Sequence, residues 1–66
     1  MTGLFPAPND LVGTHRRLGP FGPVYEIVSV GESLNDGDTK LWVLVLETGE
    51  RVEIKYSHIL QDPKVA

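Results

Sequence analysis

Sixty-six residues carry no cysteine, six Lys plus Arg, nine Asp plus Glu and two His, for a formal charge of −3 and a pI near 5.1. A chain this short makes one domain, and at roughly 60 residues folding hides only about 60% of the surface the unfolded chain exposes. Without cysteine there is neither a disulfide to staple a thin core nor a thiolate metal site.

No window approaches the ~20 apolar residues that a bilayer span needs. The start, Met1 to Pro6, has neither a basic run nor a sustained apolar stretch, so no signal peptide is expected and a cytoplasmic domain is. Apolar residues make up 41% and charged residues 23%, as in folded globular chains. The apolar residues cluster between Val24 and Ile54. One domain is therefore expected over 11–63, with a flexible tail at 1–10 and another at 64–66.

In chain order, Leu11 to Leu18 reads as a short first strand. Gly19-Pro20-Phe21-Gly22-Pro23 follows. Two prolines fix φ near −65° and remove two backbone donors, and glycines before them escape the restriction felt by bulkier pre-proline residues. A stiff outward loop with Phe21 at its tip is expected, the ring either standing in solvent or folding back to cap the barrel with Tyr25 lining the core. Val24 to Val30 is a strand with Tyr25 and Ile27 on one face and Val24, Val28 and Val30 on the other. Asn35-Asp36-Gly37-Asp38 is turn chemistry. It does not match a calcium loop, which needs acidic or amide side chains at alternate positions and a closing Glu.

Leu41-Trp42-Val43-Leu44-Val45-Leu46 is six apolar residues in a row, the pattern of a strand covered on both faces. Glu47-Thr48-Gly49-Glu50 then turns the chain, with Gly49 supplying the positive φ of a tight hairpin. Val52 and Ile54 alternate with Arg51, Glu53 and Lys55 in the returning strand. Ser57 to Gln61 reads as one helical turn with Ser57 as its N-cap and Ile59 and Leu60 as plugs. Antiparallel strands with no room for a crossover helix predict an all-β fold. The economical form is a small SH3-like barrel of four or five strands, with one short helical turn near the C-terminus. Trp42 is expected to be covered, either as core filler or at the centre of a dimer face, and Trp42→Ala to unfold the domain.

The chain resembles a family of short bacterial proteins of unknown function, found on chromosomes and mobile elements. The segments that carry the likeness are Leu18 to Ile27, Val45 to Glu53 and Ile59 to Pro63. More broadly it resembles SH3-like barrels in strand order and length. The family likeness implies no activity, cofactor or site residue. The broader one implies an interaction module.

Catalysis finds little support. Ser57 and His58 are adjacent, but neighbouring side chains on a turn point apart and no orienting acid follows from the spacing. Glu47 and Glu50 flank an exposed turn and should behave as ordinary carboxylates. So small a barrel leaves no interior volume for a substrate pocket. No enzyme activity, cofactor or metal is expected. His15-Arg16-Arg17 is the only basic cluster, and with the aromatic residues it suggests single-stranded nucleic acid as an alternative ligand. The acidic balance opposes that reading. A protein partner is the expectation, engaged through Pro20, Phe21 and Pro23 with Arg16, Arg17 and Tyr25 at the edge, since rigid aromatics beside Arg make interface hot spots. An accessory role beside a toxin, phage-defence or plasmid gene set is a further alternative. Monomer and homodimer are both compatible with the pattern.

Overall fold

Two hairpins set the architecture in the computed structural model, which describes residues 6–65. The long strand β2 (Val24–Ser33) pairs with β3 (Thr39–Val45), and β3 returns as β4 (Arg51–Lys55). Gly49, at φ +76°, turns the second hairpin, and Gly37, at φ +87°, the first. Both lie where an L side chain would be strained. The short β1 (His15–Arg17) pairs with the start of β2, and β5 (Lys64–Val65) adds to the far side of β1. All ladders are antiparallel, and the order is β4-β3-β2-β1-β5. A helical turn, α2 (Tyr56–Ile59), lies between β4 and β5. This is the small SH3-like all-β arrangement expected from the strand pattern, with the sheet left open between β4 and β5.

Alternation along the strands builds the core. Tyr25 faces Val45 and Ile27 faces Val43 across the β2–β3 ladder, while Leu41 faces Ile54 in the β3–β4 ladder. Directly opposed residues share a face. Tyr25, Ile27, Leu41 and Val43 are buried together with Leu11 and Ile59, and Val45, Ile54 and Tyr56 pack against them. Leu11 and Ile59 come from the two short helices, which cover this concave side.

The register shifts between Ile27 and Ser29, so that Val28 and Ser29 together oppose the one residue Trp42. Such a bulge bends the strand and strengthens its twist.

Three expectations need correction. Trp42 does not fill the core of the single chain, being 39% exposed: alternation aims it away from Leu41 and Val43, and among the described residues no helix covers that side of the sheet, so of the two expected covers only a dimer face stands. The six-residue apolar run is therefore covered on one face only. Second, the first strand is confined to His15–Arg17, and Pro8–Leu11 forms a helical turn, α1, where a tail was expected. Pro8 suits the first helical position, where its missing N–H is not needed. The Asp10 carboxylate accepts a hydrogen bond from the Ala7 N–H at 3.2 Å, and the Tyr56 hydroxyl donates to the Pro6 carbonyl. Third, Ser57 is not the cap of α2. That position is Lys55, without a side-chain bond. Asp38 supplies the acceptor from the β2–β3 turn, taking the Ser57 N–H at 3.3 Å and its hydroxyl at 2.6 Å.

A one-sided core separates two substitutions by outcome. Ile27→Ala, at a fully buried position, should cost about 2–5 kcal/mol, as much as a core of this size supplies. The cooperative melt followed by circular dichroism should vanish. Trp42→Ala should keep a cooperative transition, contrary to what the sequence alone suggests.

Candidate functional site

The loop from Gly19 to Pro23 is held shut at its base. The Leu18 N–H donates to the Pro23 carbonyl at 2.9 Å, and Arg17 Nη1 donates to the Gly22 carbonyl at 3.0 Å. Gly19 has φ +68°. At Gly22 a Cβ would fall 1.9 Å from the Leu18 carbonyl oxygen, so the chain can close this tightly only with glycine there. With both ends fixed and two prolines between them, the tip has little freedom. Phe21 sits on that tip, 96% exposed.

Beneath the loop lies a buried polar cluster. The Asp62 carboxylate accepts the Tyr25 hydroxyl at 2.6 Å and the Gly19 N–H at 3.1 Å. The Asp62 carbonyl accepts Arg16 Nη1 at 2.9 Å. Arg16 and Asp62 are each only 5% exposed, and Tyr25 1%. Burial pushes the Tyr25 hydroxyl far above the ordinary phenol range, reinforced by its bond to Asp62 and that carboxylate's charge, with Arg16 acting in the opposite sense. Among the described residues Arg16 Nε is a buried donor without a partner. His58 Nε2 stands 3.6 Å from an Asp62 oxygen at the outer side of the cluster.

These positions redraw the surface expected from sequence. Pro20 and Phe21 are exposed and Arg17 and Pro23 half-buried beside them, so these four share one surface. Arg16 and Tyr25 do not line its edge: both point into the interior and brace the loop from below. Alternation accounts for this, since Arg16 pairs with Tyr25 and so shares the core face. The role of Asp62 is not legible in the sequence, because its partners Tyr25 and Arg16 are 37 and 46 residues away. The only hint was a lone acid followed by proline after the last helical turn.

Phe21, Gly22, Pro23 and Val24 border an open depression of about 490 Å³ with Arg17, Leu46 and Glu47. It lies open on the surface. Leu46, 49% exposed, continues into Leu44 and Trp42 along the outer face of β3. Val28, Ser29, Trp42 and Arg51 line a second hollow on that face. An apolar stripe thus runs from the loop tip across the uncovered side of the sheet.

Catalytic geometry is not assembled around the residues weighed for it. The Ser57 hydroxyl is bound to Asp38 and His58 approaches Asp62, so the adjacent pair serve different partners. Glu50 accepts the Thr48 hydroxyl in the exposed turn. Asp36 accepts the Asp38 N–H at 3.0 Å, which makes the acidic cluster a turn. Among the described residues no group of three or more His, Cys, Asp or Glu is placed to hold a metal ion. No helix among them is long and apolar enough to cross a membrane. The basic triplet is split, with His15 3.9 Å from Glu26 on the outer face, Arg17 at the loop and Arg16 inside.

Fold and surface together define a small SH3-like domain with a rigid aromatic loop. The chain belongs to the DUF5397 family of unknown function, whose model matches residues 3–66. It is also similar to an uncharacterized protein of Haemophilus influenzae, 36% identical over 52 residues, which is 79% of this chain and 82% of that one.

Two measurements probe the polar contacts. Tyr25→Phe leaves the buried Asp62 carboxylate short of one donor and should lower the unfolding free energy by about 1–3 kcal/mol in urea titrations. Asp38 is held below its ordinary carboxyl range, first by the Ser57 hydroxyl and then by the Thr39 N–H. A carboxyl depressed in the folded state stabilises it above its unfolded-state pKa, and that contribution fades as pH falls through the folded value. A carboxyl NMR titration should place Asp38 below its usual range, and Ser57→Ala should move it back up.

Proposed function

We propose that this domain is a non-catalytic, cytoplasmic protein-binding module. Its contact surface is the Gly19–Pro23 loop together with the apolar stripe beside it. The observation that carries this reading is Phe21, 96% exposed at the tip of a loop clamped by hydrogen bonds at both ends. A large aromatic ring is costly to leave in water, and holding it rigid removes most of the entropy lost on docking. Leu46 and Trp42 extend the same surface as exposed apolar area, which in a small soluble domain marks a contact site. Arg17 at the rim and Pro20 and Pro23 on either side complete the composition of an interface anchor. Arg16 and Tyr25 serve it indirectly, by fixing the base of the loop. Division of the basic triplet between interior and surface, with the net charge of −3, weakens the nucleic-acid alternative, because counterion release needs several cations on one face.

Affinity capture from host lysate with the wild-type domain and with Phe21→Ala tests the reading. The variant should melt at the wild-type temperature and lose the captured protein. Equal recovery by both would reject the loop as the contact surface.

A further inference from the structure

The surface just described leaves one element unused, the free edge of the sheet at β4. We infer that β4 pairs with β4 of a second copy of this chain, antiparallel and about a two-fold axis at Val52. Along β4 the Val45 N–H binds the Glu50 carbonyl at 2.8 Å, and the β3–β4 register runs without a shift from Leu44–Arg51 to Lys40–Lys55. Backbone direction alternates in a strand, so Val52 and Ile54 turn their N–H and C=O groups to β3. Arg51, Glu53 and Lys55 turn theirs outward, where β4 has no neighbour among the described strands. This is an unblocked template for another strand, with no proline in it.

Charge selects the occupant and the register. Charged side chains on an edge strand usually prevent pairing, but here they alternate in sign as Arg51, Glu53 and Lys55. Centring the pair on Glu53 would set Arg51 against Lys55 twice. Centring it on Val52 sets Arg51 of each copy opposite Glu53 of the other, as hydrogen-bonded pairs using the outward backbone groups. Lys55 then meets the acidic turn Glu47–Glu50 of the other copy. The two Val52 side chains, each 38% exposed, meet at the axis on the core side. Arg51 has no carboxylate within 4.0 Å among the described residues, so it is available for the new pair. The other edge, β5, has two described residues, Lys64 and Val65, directly after Pro63, and offers a shorter template. The paired sheets would present two outer faces, and two copies of Phe21, on one assembly.

Sedimentation velocity over a range of protein concentrations tests this directly. The wild type should show a monomer–dimer equilibrium. Arg51→Glu and Glu53→Arg, both exposed and off the core, should each weaken dimerisation about tenfold by placing like charges opposite one another. The double exchange should restore it. Amides of Arg51 and Glu53 should gain hydrogen-exchange protection as concentration rises, whereas those of Val52 and Ile54 are protected throughout. A chain that stays monomeric at all concentrations would overturn the inference. So would a dimer indifferent to both charge reversals, or one lost on Trp42→Asp but not on Glu53→Arg.

Discussion

Asp62 is the contact on which the rest of this structure depends. Its carboxylate takes the Tyr25 hydroxyl and the Gly19 amide, and its carbonyl takes the Arg16 guanidinium. One residue near the C-terminus therefore fixes the start of β2, the base of the aromatic loop and the short strand β1. The Arg17 N–H bond to the neighbouring Pro63 carbonyl, at 3.0 Å, extends the same seam toward β5. Inside a protein such bonds are strengthened by the low dielectric, and an unmet partner is correspondingly costly. With only six buried apolar residues among those described, a polar tie of this kind does part of what a disulfide does in other small folds.

The one-sided core follows from size. Two helices of four residues each can cover a single sheet face, and they bring Leu11 and Ile59 to it. No other helix among the described residues covers the second face. Trp42, Leu44 and Leu46 are consequently left at the surface, in line with the loop that carries Phe21. The polypeptide is long enough to close one side of a curled sheet, and the other side is free to meet something else.

Much of the fold was legible locally. The β3–β4 hairpin rests on alternation and on Gly49, and the strand order on the absence of any crossover segment. Loop stiffness was legible from Pro20 and Pro23. The roles of Arg16, Tyr25 and Asp38 were not. Each depends on a partner remote in sequence: Asp62 for the first two, Ser57 for the third. A basic triplet looks like a surface feature when read in one dimension, yet strand alternation sends its middle member inward.

The sequence by itself determined the all-β class, the turns and the stiffness of the Gly19–Pro23 loop, because turn chemistry, proline and period-two patterning act over a few neighbouring residues. Only the tertiary structure decided which face of β3 is covered, which residues of the loop region touch solvent and which hold it from below. Those outcomes depend on where Leu11, Ile59 and Asp62 arrive in space. Burial and hydrogen bonding between distant residues are properties of the packed chain, and no local pattern encodes them.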